Sequence, residues 1–320
     1  MTYIQQAYKG LHEGWRYLIG VVIIVFFIII GQIPFTVAAV LKAKSEGLNL
    51  FELDESAMMG LLESNLNLFL MLLSFAVGLA GILIVNKWLH KLTIKQLTTS
   101  RSKIDWRRFW MIFWVWGIFT SGMVLADYFF FSPENYVLNF DLENFLILSV
   151  IAILLVPLQT SCEEYLFRGY LMQGLGVVTK TRWAPLLITS VAFGLLHIAN
   201  PEVTQLGYII MVYYIGTGLF LGVMTLMDEG LELALGFHAA NNLFTALLVT
   251  ADWTAFQTYS VLKDTSSPTS AGFVDVFMPV FIVFPIILFI LGRVYNWKNW
   301  REKLFGRVKP LPKENYKILE

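Results

Sequence analysis

The chain has 320 residues, 57% hydrophobic and 14% charged, and its 23 Lys+Arg balance 23 Asp+Glu to a net charge of zero. Mean hydropathy is +0.65. Soluble domains are about half apolar and about a quarter charged, so this composition excludes a water-soluble globular protein, and the balanced charge offers nothing to nucleic acid. The expectation is an all-α, polytopic protein partnered by a lipid bilayer. With one cysteine, Cys162, no disulfide can form within the chain.

A membrane span needs about 20 mostly apolar residues. In chain order the candidates are 17–41, 66–85, 109–131, 144–159, 183–198, 207–227, 231–250 and 272–293. The first is too long for a signal-peptide core and lacks a small-residue cleavage site after it, so it reads as a retained span. The fourth and fifth are short as bare apolar runs, and helix is expected to continue through 161–180. Three segments follow: 1–135 with the first three spans, 136–252 with spans four to seven as a core, and 253–320 with the last span and a basic tail.

Basic residues set orientation by the positive-inside rule. Lys87, Lys91, Lys95, Arg101, Lys103, Arg107 and Arg108 occupy the second connection, and Lys298, Arg301, Lys303, Arg307, Lys309, Lys313 and Lys317 the tail. Lys9 and Arg16 precede span one, and Lys180 and Arg182 separate spans four and five. The first connection carries Glu46, Glu52, Asp54, Glu55 and Glu63, and the third Glu134, Asp141 and Glu143. Eight spans with both termini cytoplasmic satisfy this pattern, in a multi-pass protein of a prokaryotic cell membrane. The turn Asp228-Glu229-Gly230 is the one inside connection without a base.

Ionisable groups at membrane depth are costly and by default mark function. Glu163 and Glu164 follow the fourth apolar run. On a helix, Glu164 and Arg168 share a face, where the cation holds the carboxylate ionised. Glu163 is rotated by about 100° and points elsewhere. A hairpin turning at Lys180 sets Glu163 and His197 at matching depth, each seventeen residues from the turn, with Phe193 one helical turn before His197. His238 and Asn242 form a second same-face pair. His238 lies about 10 Å along its span and Glu163 about 25 Å from its turn, so the tip of the hairpin must project into the cytoplasm. These groups match the needs of peptide hydrolysis: a carboxylate to take a proton from water, a histidine to orient that water, and a histidine and an amide for the oxyanion. The polar trio is expected to converge on a conical cavity open to the cytoplasm.

Glu163-Glu164-x-x-x-Arg168, Phe193-x-x-x-His197 and His238-x-x-x-Asn242 resemble the ordered motifs of the CPBP family of intramembrane glutamic endopeptidases, which includes CAAX prenyl endopeptidases and bacteriocin-processing relatives. The resemblance covers about residues 140–250. It implies Glu163 as water-activating base, Glu164 as supporting carboxylate paired with Arg168, His197 as water-positioning group, and His238 with Asn242 as oxyanion-binding pair. Asn241 adjoins Asn242, and helical spacing favours Asn242. The substrate implied is a membrane-associated peptide or protein, prenylated or carrying a leader, and no cofactor is expected. Gly218 and Gly222 form a small-xxx-small pair suited to close helix packing.

Two alternatives compete. A zinc protease would use Glu163, His197 and His238 as ligands, though HExxH is absent. A non-proteolytic protein of the same fold, such as a self-immunity factor, scaffold or transporter, would keep buried carboxylate and histidine for other ends. Cys162 beside two carboxylates is a poor thiolate and reads as a small packing residue.

Overall fold

The computed structural model describes residues 1–268 and 273–310. The expected start of the eighth span at Gly272, and Lys313 and Lys317 of the tail, lie outside the described residues. The fold is nearly all helix, and helices occupy all eight expected stretches. The main ones are α1 (Gly14–Glu46), α2 (Ser64–Ile84), α3 (Trp106–Ala126), α4 (Leu142–Glu164), α5 (Met172–Thr179), α6 (Trp183–Leu195), α7 (Met211–Asp228), α8 (Glu232–Leu248) and α9 (Phe284–Val294). A π-helical turn, Tyr165–Leu171, joins α4 to α5 without a break. Six described helical stretches are long and apolar enough to cross a bilayer: Gly14–Glu46, Ser64–Leu89, Trp106–Phe131, Leu142–Thr179, Tyr208–Asp228 and Val276–Val294. Against the expected eight, α6 and α8 are shorter, at 13 and 17 residues. Thirteen residues rise only about 20 Å, less than the hydrocarbon core of about 30 Å.

Acidic residues in the connections start several helices. Glu63 accepts from the backbone N–H of Asn65 and Leu66, Asp141 from Asn144, and Asp105 from Arg107. Carboxylates suit the positive end of the helix dipole. Helices α1 and α2 pack together, α2 on α4, α4 on α8, α8 on α3, and α6 on α7. Large apolar side chains face outward, among them Val22, Ile118, Leu154 and Phe289. In water such a surface would be a liability; against lipid it costs nothing. The protein is an integral, multi-pass membrane protein.

The pair α6 and α7 meets at glycine. A Cβ on Gly218 would lie 2.7 Å from the carbonyl oxygen of Ser190, and one on Gly222 would lie 2.6 Å from Leu186 Cδ1. The expected small-residue contact is thus real, and its floor at Gly218 is backbone.

The basic connections gather on one face. Asp228 takes Arg101 and Arg108, together with the indole N–H of Trp297. Glu229 takes Arg182 and Lys303, and it accepts the backbone N–H of Tyr3. The acidic turn without a base of its own is therefore neutralised by bases from other connections on the same face. The helical turn Ile4–Lys9 is buried there against α5, and the Tyr3 hydroxyl donates to the carbonyl of Leu97 at 2.6 Å. On the opposite face a small sheet forms from β1 (Tyr136–Leu138), β2 (Val249–Thr250) and β3 (Leu262–Asp264), in the order β1-β3-β2. β1 pairs antiparallel with β3, matching Tyr136 to Asp264, and β2 pairs parallel with β3. The sheet ties the segment after α8 to the connection between α3 and α4.

Substituting Gly218→Ala should force α6 and α7 apart. Overpacking of this kind costs about 1–3 kcal/mol, so the purified variant should melt well below the parent in detergent, while Gly122→Ala, whose Cβ meets nothing within 4 Å, should melt with it. Equal melting of all three proteins would show that the glycine contact is dispensable.

Candidate active site

A cavity of about 580 Å³ lies among α2, α4, α6, α7 and α8. Glu163, His197, His238 and Asn242 all line it, with Gln159, Tyr214 and Asn241. Its reach is asymmetric. The lining continues along Thr245, Ala246 and Val249 to Trp253, Phe256 and Asp264, on the face that carries the sheet, and takes no residue from the basic connections. The basic side carries the buried turn Ile4–Lys9 and the ion pairs of Asp228 and Glu229.

Glu164 closes α4, and the π-helical turn that follows carries Arg168. Turns of this type recur at functional sites. Both side chains are 0% exposed. Arg168 Nη1 donates to Glu164 Oε1 at 2.9 Å and Nη2 to the carbonyl of Gly218 at 3.1 Å, with the guanidinium 4.2 Å from the Phe193 ring centroid. The same Glu164 Oε1 accepts from His238 Nδ1 at 2.9 Å. A charge buried this deeply is tolerable only when paired and hydrogen-bonded.

Glu163 sits in a different environment on the adjacent position. Its Oε1 accepts from Gln159 Nε2 at 2.6 Å. Its Oε2 makes no hydrogen bond among the described residues and lies 3.7 Å from His238 Nε2. With Nδ1 committed to Glu164, His238 presents Nε2 toward Glu163 and toward Asn242 Nδ2 at 3.5 Å. His197 Nδ1 donates to the carbonyl of Phe193 at 2.8 Å, which leaves Nε2 with its lone pair. The ring stacks on Tyr214 at 4.5 Å and 25°. His197 lines the cavity with Glu163 but bonds to neither glutamate among the described residues.

The geometry separates Asn242 from Asn241. Asn242 faces His238 and Gln159, whereas Asn241 takes the indole N–H of Trp116 at 3.1 Å. Gln159, Tyr214 and Trp116 are absent from the motif reading. Gln159 could have been found, since it stands one helical turn before Glu163; Tyr214 and Trp116 have no local signal. Glu202 was also unforeseen. It lines the cavity, its Oε1 accepts the Ala255 N–H at 2.9 Å, and burial raises its pKa. It holds the segment after α8 against the connection between α6 and α7. Cys162 is buried, and its Sγ would meet a Cβ on Gly78 at 3.1 Å, in keeping with a packing role. Among the described residues no three of His, Cys, Asp and Glu are grouped to hold a metal ion.

Removing one partner of the buried pair leaves the other uncompensated, at about 3–5 kcal/mol. Arg168→Met should accordingly sharply lower the melting temperature or yield of the purified protein, and Arg168→Met with Glu164→Gln should recover part of the loss. A single variant as stable as the parent would show that the pair carries no such constraint.

Residues 142–244 match the family described as type II CAAX prenyl endopeptidase Rce1-like. The chain is also similar to an uncharacterized protein, YyaK, of Bacillus subtilis (strain 168), with 30% identity over 243 residues, 76% of this chain and 80% of that protein. No solved structure matches it. Taken with the polar side chains gathered in its intramembrane cavity, these likenesses establish that the chain belongs to the Rce1-like family of type II CAAX prenyl endopeptidases.

Proposed function

We propose that this peptidase cleaves its substrate with a water molecule activated by Glu163, without a metal ion or other cofactor. The observation that carries the reading is the contrast between adjacent carboxylates. Glu164 is fully buried, with Oε1 taking both Arg168 and His238, while Glu163 lines the cavity and takes a single neutral donor, Gln159. One is built to hold a charge and the other to use it.

In this mechanism Glu163 Oε2 takes a proton from water as the oxygen attacks the scissile carbonyl carbon. His197, with Nδ1 fixed on Phe193, accepts the second water hydrogen at Nε2 and so sets the angle of attack. The oxyanion receives hydrogen bonds from Asn242 and from His238 Nε2. That donation uses the doubly protonated ring, whose Nδ1–H is held on Glu164 Oε1 at 2.9 Å. Collapse breaks the C–N bond, and Glu163 returns its proton to the departing amine.

The family name makes a prenylated CAAX peptide the first substrate to try, and a leader peptide the second. We also place the basic face in the cytoplasm of a bacterial cell by the positive-inside rule. The cavity then extends from the level of His238 toward the opposite face, the one that carries the sheet.

Purified protein should cleave a model peptide, and Glu163→Gln should abolish turnover while the protein stays folded. His197→Ala should be nearly as damaging, and Asn242→Ala should cost about 10²–10³ in turnover, as other oxyanion donors do. Chelators should leave the rate unchanged. A well-folded Glu163→Gln protein with near-normal turnover would end this reading, and activity lost and regained with stoichiometric zinc would replace it with a metalloprotease.

Orientation is tested separately. Cysteines introduced at Lys95 and Phe305 should be labelled from the cytoplasmic side and one at Thr254 from the other side. The reverse pattern would invert the placement.

A further inference from the structure

A line of polar side chains runs behind Glu163 and crosses three helices. Trp116 Nε1 of α3 donates to Asn241 Oδ1 of α8 at 3.1 Å. Asn241 Nδ2 donates to Asn242 Oδ1 at 3.2 Å, and Asn242 Nδ2 donates to Gln159 Oε1 of α4 at 3.1 Å. Gln159 Nε2 then donates to Glu163 Oε1 at 2.6 Å. An indole N–H can only donate and an ionised carboxylate can only accept. The two ends therefore orient every amide between them, since a flip of any one would set donor against donor. Gln159 is 4% exposed, so its amide has little solvent to turn to. In such a chain each bond polarises the next, and here all the polarisation points at the carboxylate.

We infer that Gln159 is a positioning residue for the reaction, and that the chain behind it fixes which oxygen of Glu163 works. By occupying Oε1 it leaves Oε2 as the proton acceptor, and it prevents the side chain from rotating the two oxygens into each other's place. It also ties the base to Asn242, so that the two sides of the scissile bond are set by one array. This rests on the reading of Glu163 as general base.

The test uses purified full-length protein and a cleavable model peptide, with Gln159→Met, Gln159→Glu and Trp116→Phe. Methionine keeps the bulk of the side chain and removes both hydrogen bonds, and kcat should fall roughly 10- to 100-fold, the range set by one hydrogen bond to a charged group, with KM unchanged. Glutamate keeps the shape and the acceptor for Asn242 but turns a carboxylate toward Glu163, so it should be the worse of the two. A purely structural role predicts instead a lower melting temperature in both variants, with kcat of the folded protein unchanged. Trp116→Phe should give a smaller loss in the same direction.

An infrared measurement reads the arrangement without turnover. The carboxylate stretching band that vanishes in Glu163→Gln should shift in Gln159→Met. An unmoved band, or wild-type kcat in a folded Gln159→Met protein, would overturn the inference. If the parent cleaves no peptide, the proposed function fails, and the infrared band still decides the role of Gln159.

Discussion

The buried pair of Glu164 and Arg168 is the constraint on which the rest of the site depends. Neither group has any exposure, and each is bonded by a different helix. Arg168 reaches the backbone of α7 at Gly218 and lies over Phe193 of α6, while Glu164 receives His238 of α8. Displacing any of these helices would strand part of a charge in a medium that cannot solvate it. The pair thus constrains four helices at once. Gly218 serves it twice, by allowing α6 and α7 to touch and by lending its carbonyl to the guanidinium.

Two neighbouring glutamates on one helix diverge because a helix turns about 100° per residue. Glu164 faces the protein and Glu163 the cavity. The same chemical group is made an anchor at one position and is left available at the next, with no need for a different residue type.

Much of this was legible in the sequence, for reasons that differ by residue. The pairs Glu164–Arg168 and His238–Asn242 were legible because helical spacing alone puts their members on one face. The depth match between Glu163 and His197 followed from counting residues around Lys180, and both do line one cavity. What stayed hidden depended on contacts between distant segments. Trp116 meets Asn241 across 125 positions, and nothing local marks either. The sheet depends on strands of two and three residues, too short for an alternating pattern to register. The buried turn Ile4–Lys9 was hidden too, because its partners on α5 and at Leu97 lie far along the chain. The lengths of α6 and α8 could not be read from hydropathy, since an apolar stretch looks the same whether it crosses a membrane or ends inside a bundle.

The buried turn Ile4–Lys9 bears on how the molecule is assembled. Tyr3 bonds Glu229, and Gln5 donates to the carbonyl of Lys309 at 3.0 Å. Residues 3–9 are therefore held by segments that come far later in the chain, from Leu97 to Lys309. Contacts of such long range are slow to form, and domains without them settle as they are made. Here α1 precedes in the chain every segment that holds its own leading turn, so that turn docks only after those segments are made.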